Sequence, residues 1–113
     1  MSNKDLTGTN LSEVNLSNMD LSNTVLRYAD LTNVNLTNVD LSGKDLTGTV
    51  LTGIILPNTD LTGVTLVDTK NIKDVNLSGK DLTNANLTGV DLSGKDLTAV
   101  SYTHLTLPTI CSV

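Results

Sequence analysis

The sequence predicts an all-β solenoid, in which the chain coils around one axis in short extended segments. Three observations lead to this class: a Leu or Ile recurs almost every five residues from Leu6 to Leu97, turn-forming residues follow each of them, and only 2% of all residues are aromatic. A core without aromatic anchors must be built from many similar aliphatic contacts. At 113 residues, the chain is long enough for one such domain.

The five-residue period excludes an ordinary helix and an ordinary flat strand. Side chains five positions apart are turned by about 140° on an α-helix and alternate between faces on a strand. Burial of the whole set therefore requires a corner after each short segment. This set, the core ladder, has nineteen members with one six-residue step before Ile72: Leu6, Leu11, Leu16, Leu21, Leu26, Leu31, Leu36, Leu41, Leu46, Leu51, Leu56, Leu61, Leu66, Ile72, Leu77, Leu82, Leu87, Leu92 and Leu97.

The residues around each ladder position support the same prediction. The residue two positions earlier is often apolar or small, as at Val34 and Val64, and in an extended segment it shares the side of the ladder residue. The residue directly before is mostly Asp or Asn, and the residue directly after is mostly Ser or Thr, as outward positions should be. The next residue is mostly Gly or Asn, as at Gly48 and Asn33, and these tolerate the positive φ of a corner.

Two units match a known repeat pattern in full. They are Ala29-Asp30-Leu31-Thr32-Asn33 and Ala85-Asn86-Leu87-Thr88-Gly89, and the pattern is Ala, then Asp or Asn, then Leu, then two variable residues. Residues 4–99 thereby resemble the pentapeptide-repeat family. The resemblance implies a right-handed, four-sided parallel β-helix with four pentapeptides in each coil of about twenty residues, and hence nearly five coils in residues 1–99.

Four lysines interrupt the apolar pattern at the inward position: Lys4, Lys44, Lys80 and Lys95. A buried ammonium is costly, so we expect each stem to lean along a corner and its amine to reach water. A functional basic site is the alternative interpretation. The six-residue step from Leu66 to Ile72 is most simply a one-residue bulge at a corner.

Charge and composition exclude several classes of function. The net charge of −5 argues against direct binding to nucleic acid. No apolar run is long enough to span a membrane and no signal-peptide core is visible, so a cytoplasmic location is the default expectation. Residues 1–99 contain neither His nor Cys, and no catalytic, metal-binding or cofactor-binding residue is predicted.

The last fourteen residues, Val100 to Val113, lose the repeat character. Ten consecutive residues from Val100 to Thr109 resemble the translation of a transposon-based sequencing adapter. We therefore expect residues 1–99 to form the β-helix and residues 100–113 to be a non-native, adapter-derived tail on a truncated gene fragment. On this hypothesis, His104 and Cys111 have no functional role.

Aspartates recur at twenty-residue spacing and predict an acidic column. Coils of twenty residues would stack Asp20, Asp40 and Asp60, joined by Asp81 if the six-residue step keeps the face; we name these four residues the acidic strip. Neighbouring carboxylates repel by roughly 1 kcal/mol in water, so hydrogen bonds, counterions or a partner must stabilise the strip. The alternative is that each Asp simply bonds a turn amide.

The favoured functional prediction is a non-enzymatic scaffold that binds an unknown protein partner. Its alternative comes from the family resemblance: an acidic rod that mimics DNA and inhibits DNA gyrase or a related topoisomerase. An ice-binding face and carboxylate-metal hydrolysis are weaker hypotheses, since paired-Thr strips and an implied pocket are lacking. Both ends of a solenoid expose sheet edges, so an end-to-end homodimer is a further expectation.

Overall fold

The structure, a computed structural model, describes residues 4–72 and 75–90. Strand β1 (Lys4–Asp5) pairs in parallel with β2 (Thr24–Val25), with Lys4 opposite Thr24. Single parallel bridges continue this ladder: Asn10 with Asp30, Asn15 with Asn35, Asp30 with Val50, Asn35 with Ile55, Asp40 with Asp60, Asp45 with Thr65, Val50 with Lys70, and Thr65 with Asn86. Up to Lys70 every partner lies twenty positions away, so one turn of this β-helix takes twenty residues.

Each corner is a β-turn that begins at a ladder residue. The N–H three positions later donates to its carbonyl, as from Thr9 to Leu6 at 3.0 Å and from Val34 to Leu31 at 3.0 Å. Except at Asn23, the third residue of each fully described turn has positive φ, as in a type II turn, which confirms the predicted role of the Gly and Asn positions. Tyr28, with φ of 63°, adopts the same conformation although its side chain disfavours it.

The core ladder lies along the axis of the β-helix. Its members from Leu16 to Leu87 are buried, and Leu6 and Leu11 in the first coil are partly buried. The inward position two residues earlier fills the remaining interior, with Val34, Val64 and Ala85 fully enclosed. Leu92, Leu97, Lys95 and the tail from Val100 to Val113 lie outside the described residues.

The six-residue step is accommodated at one corner. Val50 pairs with Lys70 across twenty positions, whereas Thr65 pairs with Asn86 across twenty-one. The additional residue therefore follows Lys70, where Asn71 adopts a φ of 62° and its side-chain amide donates to Thr52 Oγ1 at 2.6 Å. Ile72 consequently returns to the core and is 3% exposed.

No α-helix occurs among residues 4–72 and 75–90. Accordingly, that part of the chain contains no helix of the length and apolar character needed to cross a membrane.

Candidate functional site: the acidic strip and the Lys44 crevice

The carboxylates of the acidic strip are fixed by local hydrogen bonds. In each case Oδ1 accepts the backbone N–H two residues later: Asp20 from Ser22 at 3.0 Å, Asp40 from Ser42 at 2.9 Å, Asp60 from Thr62 at 2.9 Å, and Asp81 from Thr83 at 2.9 Å. The same turn occurs with Asn on other faces, as at Asn35, whose Oδ1 accepts from Thr37 N at 3.0 Å. The Asp residues therefore have a structural role in the corner, as the alternative interpretation states.

These hydrogen bonds favour the ionised carboxylate. The backbone N–H and the hydroxyl of Ser22 lower the pKa of Asp20 below its ordinary value. Ser42 lowers the pKa of Asp40 in the same way, and Thr83 lowers the pKa of Asp81. The negative charge of Asp20 opposes the shift at Asp40, which indicates that the two carboxylates act on each other.

The later members of the acidic strip lie in register, although no bridge joins Asp60 to Asp81 among the described residues. Asp40 pairs with Asp60 in a parallel bridge. The hydrogen bond of 2.7 Å from Gly63 N to the Thr83 carbonyl then places Asp81 in register with Asp60, one coil later. Within the described residues, no bridge joins Asp20 to Asp40 or Val25 to Asp45.

A crevice opens between the two coils at the place of these missing bridges. It has a volume of about 480 Å³ and is lined by the facing segments around Asp20 and Asp40, with Val25, Arg27 and Lys44 at its walls. The Lys44 ammonium donates hydrogen bonds to the carbonyls of Leu21 and Thr24, the latter at 2.7 Å. Burial lowers the pKa of Lys44, and the charge of Asp20 opposes that shift.

The turn that receives Lys44 differs from its neighbours. Thr24 N still donates to the Leu21 carbonyl at 3.0 Å. Its third residue, Asn23, however, does not have the positive φ that the third residue of every other fully described turn has. The Ser22 carbonyl lies 3.4 Å from the Lys44 ammonium, so the ammonium is held by three carbonyls of this one turn.

A second crevice accompanies Lys80. It has a volume of about 420 Å³ between Ile55 and Asn76, and the Lys80 ammonium donates to the Leu56 carbonyl at its edge. The sequence led us to expect amines that reach water; Lys44 and Lys80 are half-buried, and their ammonium groups bond backbone carbonyls of the coil below. A backbone carbonyl oxygen can accept more than one hydrogen bond, and these carbonyls lie within reach of the lysine side chains. They take the place of water molecules that the ammonium groups lose on partial burial. Lys4 is exposed in the first coil.

Arg27 lies at the edge of the Lys44 crevice and contacts Asp45 and Tyr28. Arg27 Nε lies 3.5 Å from Asp45 Oδ2, and the guanidinium lies 5.7 Å from the centroid of the Tyr28 ring. The Tyr28 ring covers Gly48 in the next coil, where a Cβ atom would overlap it. The sequence offered a signal for this cluster only in the adjacency of Arg27 and Tyr28.

The strip does not form a metal centre in the residues that the structure describes. No group of three or more His, Cys, Asp or Glu side chains converges there in an arrangement that fits a metal ion.

Comparison with known proteins places the chain in a family. The family model described as pentapeptide repeats matches residues 5–43 and 71–101, in eight copies. The segment between these two matches has the same architecture, since Asp45 pairs with Thr65 and Val50 with Lys70. A search of curated proteins finds no match.

Comparison with solved structures finds one that shows the same fold and others that align at lower scores. HetL, a pentapeptide repeat protein involved in heterocyst differentiation regulation from the cyanobacterium Nostoc, aligns with a TM-score of 0.56 at 27% identity, over 90% of this chain and 48% of HetL. A pentapeptide repeat protein of the Arabidopsis thaliana thylakoid lumen aligns with a TM-score of 0.41 at 25% identity, over 91% of this chain and 61% of that protein. QnrB1, a plasmid-mediated fluoroquinolone resistance protein, aligns in a trypsin-treated form with a TM-score of 0.41 at 13% identity, over 89% of this chain and 83% of QnrB1.

The chain thus spans less than two thirds of the first two of these proteins, 48% of HetL and 61% of the thylakoid lumen protein. The family match, the five-residue ladder and the parallel pairing at twenty-residue intervals all describe one architecture. The chain belongs to the pentapeptide repeat family and folds as a right-handed β-helix.

Proposed function

We propose that this protein is a non-enzymatic scaffold whose acidic strip binds a basic surface of a protein partner. The observation that carries the proposal is the fixed geometry of the strip. Each carboxylate is fixed to its own corner through Oδ1, and all four Asp residues are exposed on the surface. A column of oriented charges that is ordered before binding loses little side-chain entropy when a partner docks.

We propose that the β-helix that carries the strip is four-sided, with nearly five coils in residues 1–99. Partners twenty residues apart correspond to four five-residue units per turn. The two shorter principal extents, 22 and 21 Å, are nearly equal, as a square cross-section requires. Flat faces then present one side chain per coil at a spacing of about 4.8 Å.

The Lys44 crevice makes the strip unequal along its length. The hydrogen bonds from Ser22 are the main cause of the lowered pKa of Asp20, and the charge of Lys44, which lines the same crevice, adds a smaller contribution. Asp40 and Asp60 are joined by a bridge, and Asp81 lies in register with them one coil later. We therefore assign the contact with a basic partner to these three residues.

The test compares charge removal on and off the strip. Asn keeps the Oδ1 acceptor that the corner needs, as Asn35 shows, so Asp40→Asn with Asp60→Asn removes two charges without loss of the turns. Asp5→Asn with Asp30→Asn is the matched control on other faces. Fluorescence anisotropy with a labelled lysine-rich peptide should show several-fold weaker binding for the strip variant than for the control. Equal weakening of both variants would mean that only net charge matters.

DNA mimicry is the second function proposed from the family resemblance, and its test is a gyrase supercoiling assay. Inhibition by the parent protein at micromolar concentration, lost in the Asp40→Asn/Asp60→Asn variant, would support it. Unchanged supercoiling at that concentration contradicts it.

We also propose that residues 100–113 do not belong to the repeat domain and derive from an adapter. Sequencing of the locus from independently cloned genomic DNA tests this assignment. Recovery of the same fourteen codons there would refute it.

A further inference from the structure

Backbone hydrogen bonds join neighbouring coils in a regular pattern of three bonds per five-residue unit. At Leu11 these bonds run from Leu11 N to the Asp30 carbonyl at 2.9 Å, from Glu13 N to the Thr32 carbonyl at 2.8 Å, and from Asp30 N to the Thr9 carbonyl at 3.0 Å. The same three bonds recur one coil later, around Leu31. The pattern therefore shows which bonds to expect at any other unit.

Five bonds of this pattern are missing at the Lys44 crevice. Among the described residues, no backbone carbonyl accepts the five N–H groups that would form them, which belong to Leu21, Asn23, Leu26, Asp40 and Asp45. Leu21 and Leu26 are each only 1% exposed. Enclosed backbone N–H groups without a partner are rare in proteins, so the crevice has hydrogen-bonding capacity that the fold itself does not use.

The Lys80 crevice shows the same loss at the equivalent positions. Within residues 4–72 and 75–90, the corresponding N–H groups again donate to no backbone carbonyl; they belong to Leu56, Asn58, Leu61, Asn76 and Asp81. Between the two crevices the pattern is intact, with Leu41 N donating to the Asp60 carbonyl at 2.9 Å. The unused backbone groups therefore accompany an inward lysine in both places where the structure describes one with its flanking coils.

On the face of the acidic strip, the Lys44 crevice offers donors and acceptors from both walls. The lower wall has the N–H groups of Leu21 and Asn23 and the carbonyl of Met19. The upper wall has the N–H of Asp40 and the carbonyls of Asp40 and Ser42. An extended peptide backbone presents N–H and carbonyl groups to both of its sides in this way. The volume of about 480 Å³ lies in the range of ligand clefts, about 300 to 1,000 Å³.

The surroundings of the crevice also restrict the side chains of such a peptide. In an extended segment, successive side chains point to opposite sides. The inner side is filled by the core, since Leu21 and Leu41 are 1% and 0% exposed, so an inward residue must be Gly. On the outer side, the exposed carboxylates of Asp20 and Asp40 lie below and above the crevice and favour a Lys or Arg.

We propose that the Lys44 crevice binds an extended segment of a partner protein in which Gly alternates with Lys or Arg. Main-chain hydrogen bonds to both walls hold the segment, as in β-strand addition. This site deepens the proposed function and rests on it for the basic side chains of the partner. The main-chain contact does not depend on the strip.

The first test uses two labelled peptides with the full chain. One alternates Lys and Gly, and the other has the same sequence with a methyl group on each Gly nitrogen. Methylation keeps every charge but removes the N–H donors along one edge of the extended peptide. Fluorescence anisotropy should show several-fold tighter binding of the unmethylated peptide. Equal affinity for the two peptides, or no binding of either, would overturn the proposal.

The second test compares Lys44→Val with Lys80→Val. Each variant removes one positive charge from an inward position, so net charge affects a basic peptide equally in both. Lys44→Val restores the bonds between the walls and should weaken binding of the unmethylated peptide several-fold. Lys80→Val should bind it like the parent chain, because the lining of that crevice, with Ile55, Pro57 and Asn76, contains no carboxylate. Circular dichroism checks the fold of each variant, and equal affinities of the two would contradict the assignment to Lys44.

The Asp40→Asn/Asp60→Asn variant separates this proposal from the proposed function. Weaker peptide binding by that variant, with unchanged binding by Lys44→Val, would overturn the crevice site and leave the acidic strip in place. Weaker binding by Lys44→Val, with unchanged binding by the Asp variant, would support the main-chain contact and contradict the strip.

Discussion

The Lys44 ammonium donates a hydrogen bond of 2.7 Å to the carbonyl of Thr24, the residue at the same inward position one coil earlier. Elsewhere that type of carbonyl accepts a backbone N–H from the coil above, as the Thr9 carbonyl does from Asp30 N at 3.0 Å. The lysine side chain thus replaces a ladder hydrogen bond. This exchange explains why a crevice opens between these coils and not between their neighbours with Val or Ala inside.

Replacement of Lys44 by Val should close the crevice and stabilise the protein. The inward position one coil later, Val64, is fully buried beside an intact bridge between Asp45 and Thr65. Removal of a partly buried charge in favour of a packed apolar group is expected to raise the free energy of unfolding by on the order of 1 kcal/mol. Urea denaturation measures this change. The exposed Lys70→Val variant is the control, and a lower midpoint for Lys44→Val than for this control would contradict the explanation.

Acidification should destabilise the protein through its corner aspartates. The hydroxyl and N–H of Thr32 lower the pKa of Asp30 below its ordinary value of 3.8. Because the unfolded chain then binds the proton more tightly, the contribution of Asp30 is complete above about pH 3.8 and is lost as pH falls through the lower folded pKa. Melting temperatures measured from neutral pH to pH 2 should decline in this range. Asp30→Asn keeps the turn acceptor and should decline less steeply; an identical slope would show that the corner does not titrate.

A side chain at Gly48 should cost more than one at Gly43. Both glycines have positive φ, 72° and 68°, so Ala is strained at either position by about 1 kcal/mol. At Gly48 the new Cβ also overlaps the Tyr28 ring, whereas nothing lies within 4 Å of a Cβ at Gly43. Thermal unfolding of Gly48→Ala and Gly43→Ala separates the two effects. Tyr28→Ala should rescue part of the loss at Gly48, and equal melting temperatures for the two Gly variants would remove the Tyr28 contact from the explanation.

Truncation of the core should depend on the position along the axis. Leu36 is 1% exposed between two coils, and its replacement by Ala should lower the free energy of unfolding by about 2 to 5 kcal/mol. Leu6 is only partly buried in the first coil, so Leu6→Ala removes fewer contacts and should cost less. Denaturant titrations followed by circular dichroism give both values. A loss at Leu6 as large as that at Leu36 would show that the cost does not follow the burial of the side chain.

The fold could be predicted because a single period encodes most of it. Leu residues five positions apart can be buried in one core only if the chain turns a corner after each of them. The Gly or Asn two positions after each Leu indicates where that corner lies. The twenty-residue coil came from the family resemblance, and the bridge between Asp40 and Asp60 shows that register. Positive φ at Glu13 and Tyr28 was not predictable, because neither residue type favours it and the neighbouring coils impose it.

The Lys44 crevice could not be predicted for a different reason. Asn23, Asn33 and Asn38 occupy equivalent positions in the repeat, yet only Asn33 and Asn38 adopt positive φ. The difference coincides with Lys44, which lies one coil away and whose ammonium bonds the carbonyls of the Asn23 turn. A local pattern contains no information on such a contact, since an inward lysine can be satisfied by water or by carbonyls.

The additional residue at Asn71 bears on how such a chain tolerates insertions and deletions in evolution. After it, Thr65 lies opposite Asn86, so one extra residue at a corner leaves every later side chain on its original face. Loss of a whole five-residue unit between Asp60 and Asp81 would keep the core period intact but advance all later units around the coil. Asp81 would then leave the acidic strip for an adjoining face. In this protein, deletion of a complete five-residue unit would therefore keep the core period but change which side chains share a face. Insertion of a single residue at a corner interrupts the period but leaves the faces unchanged.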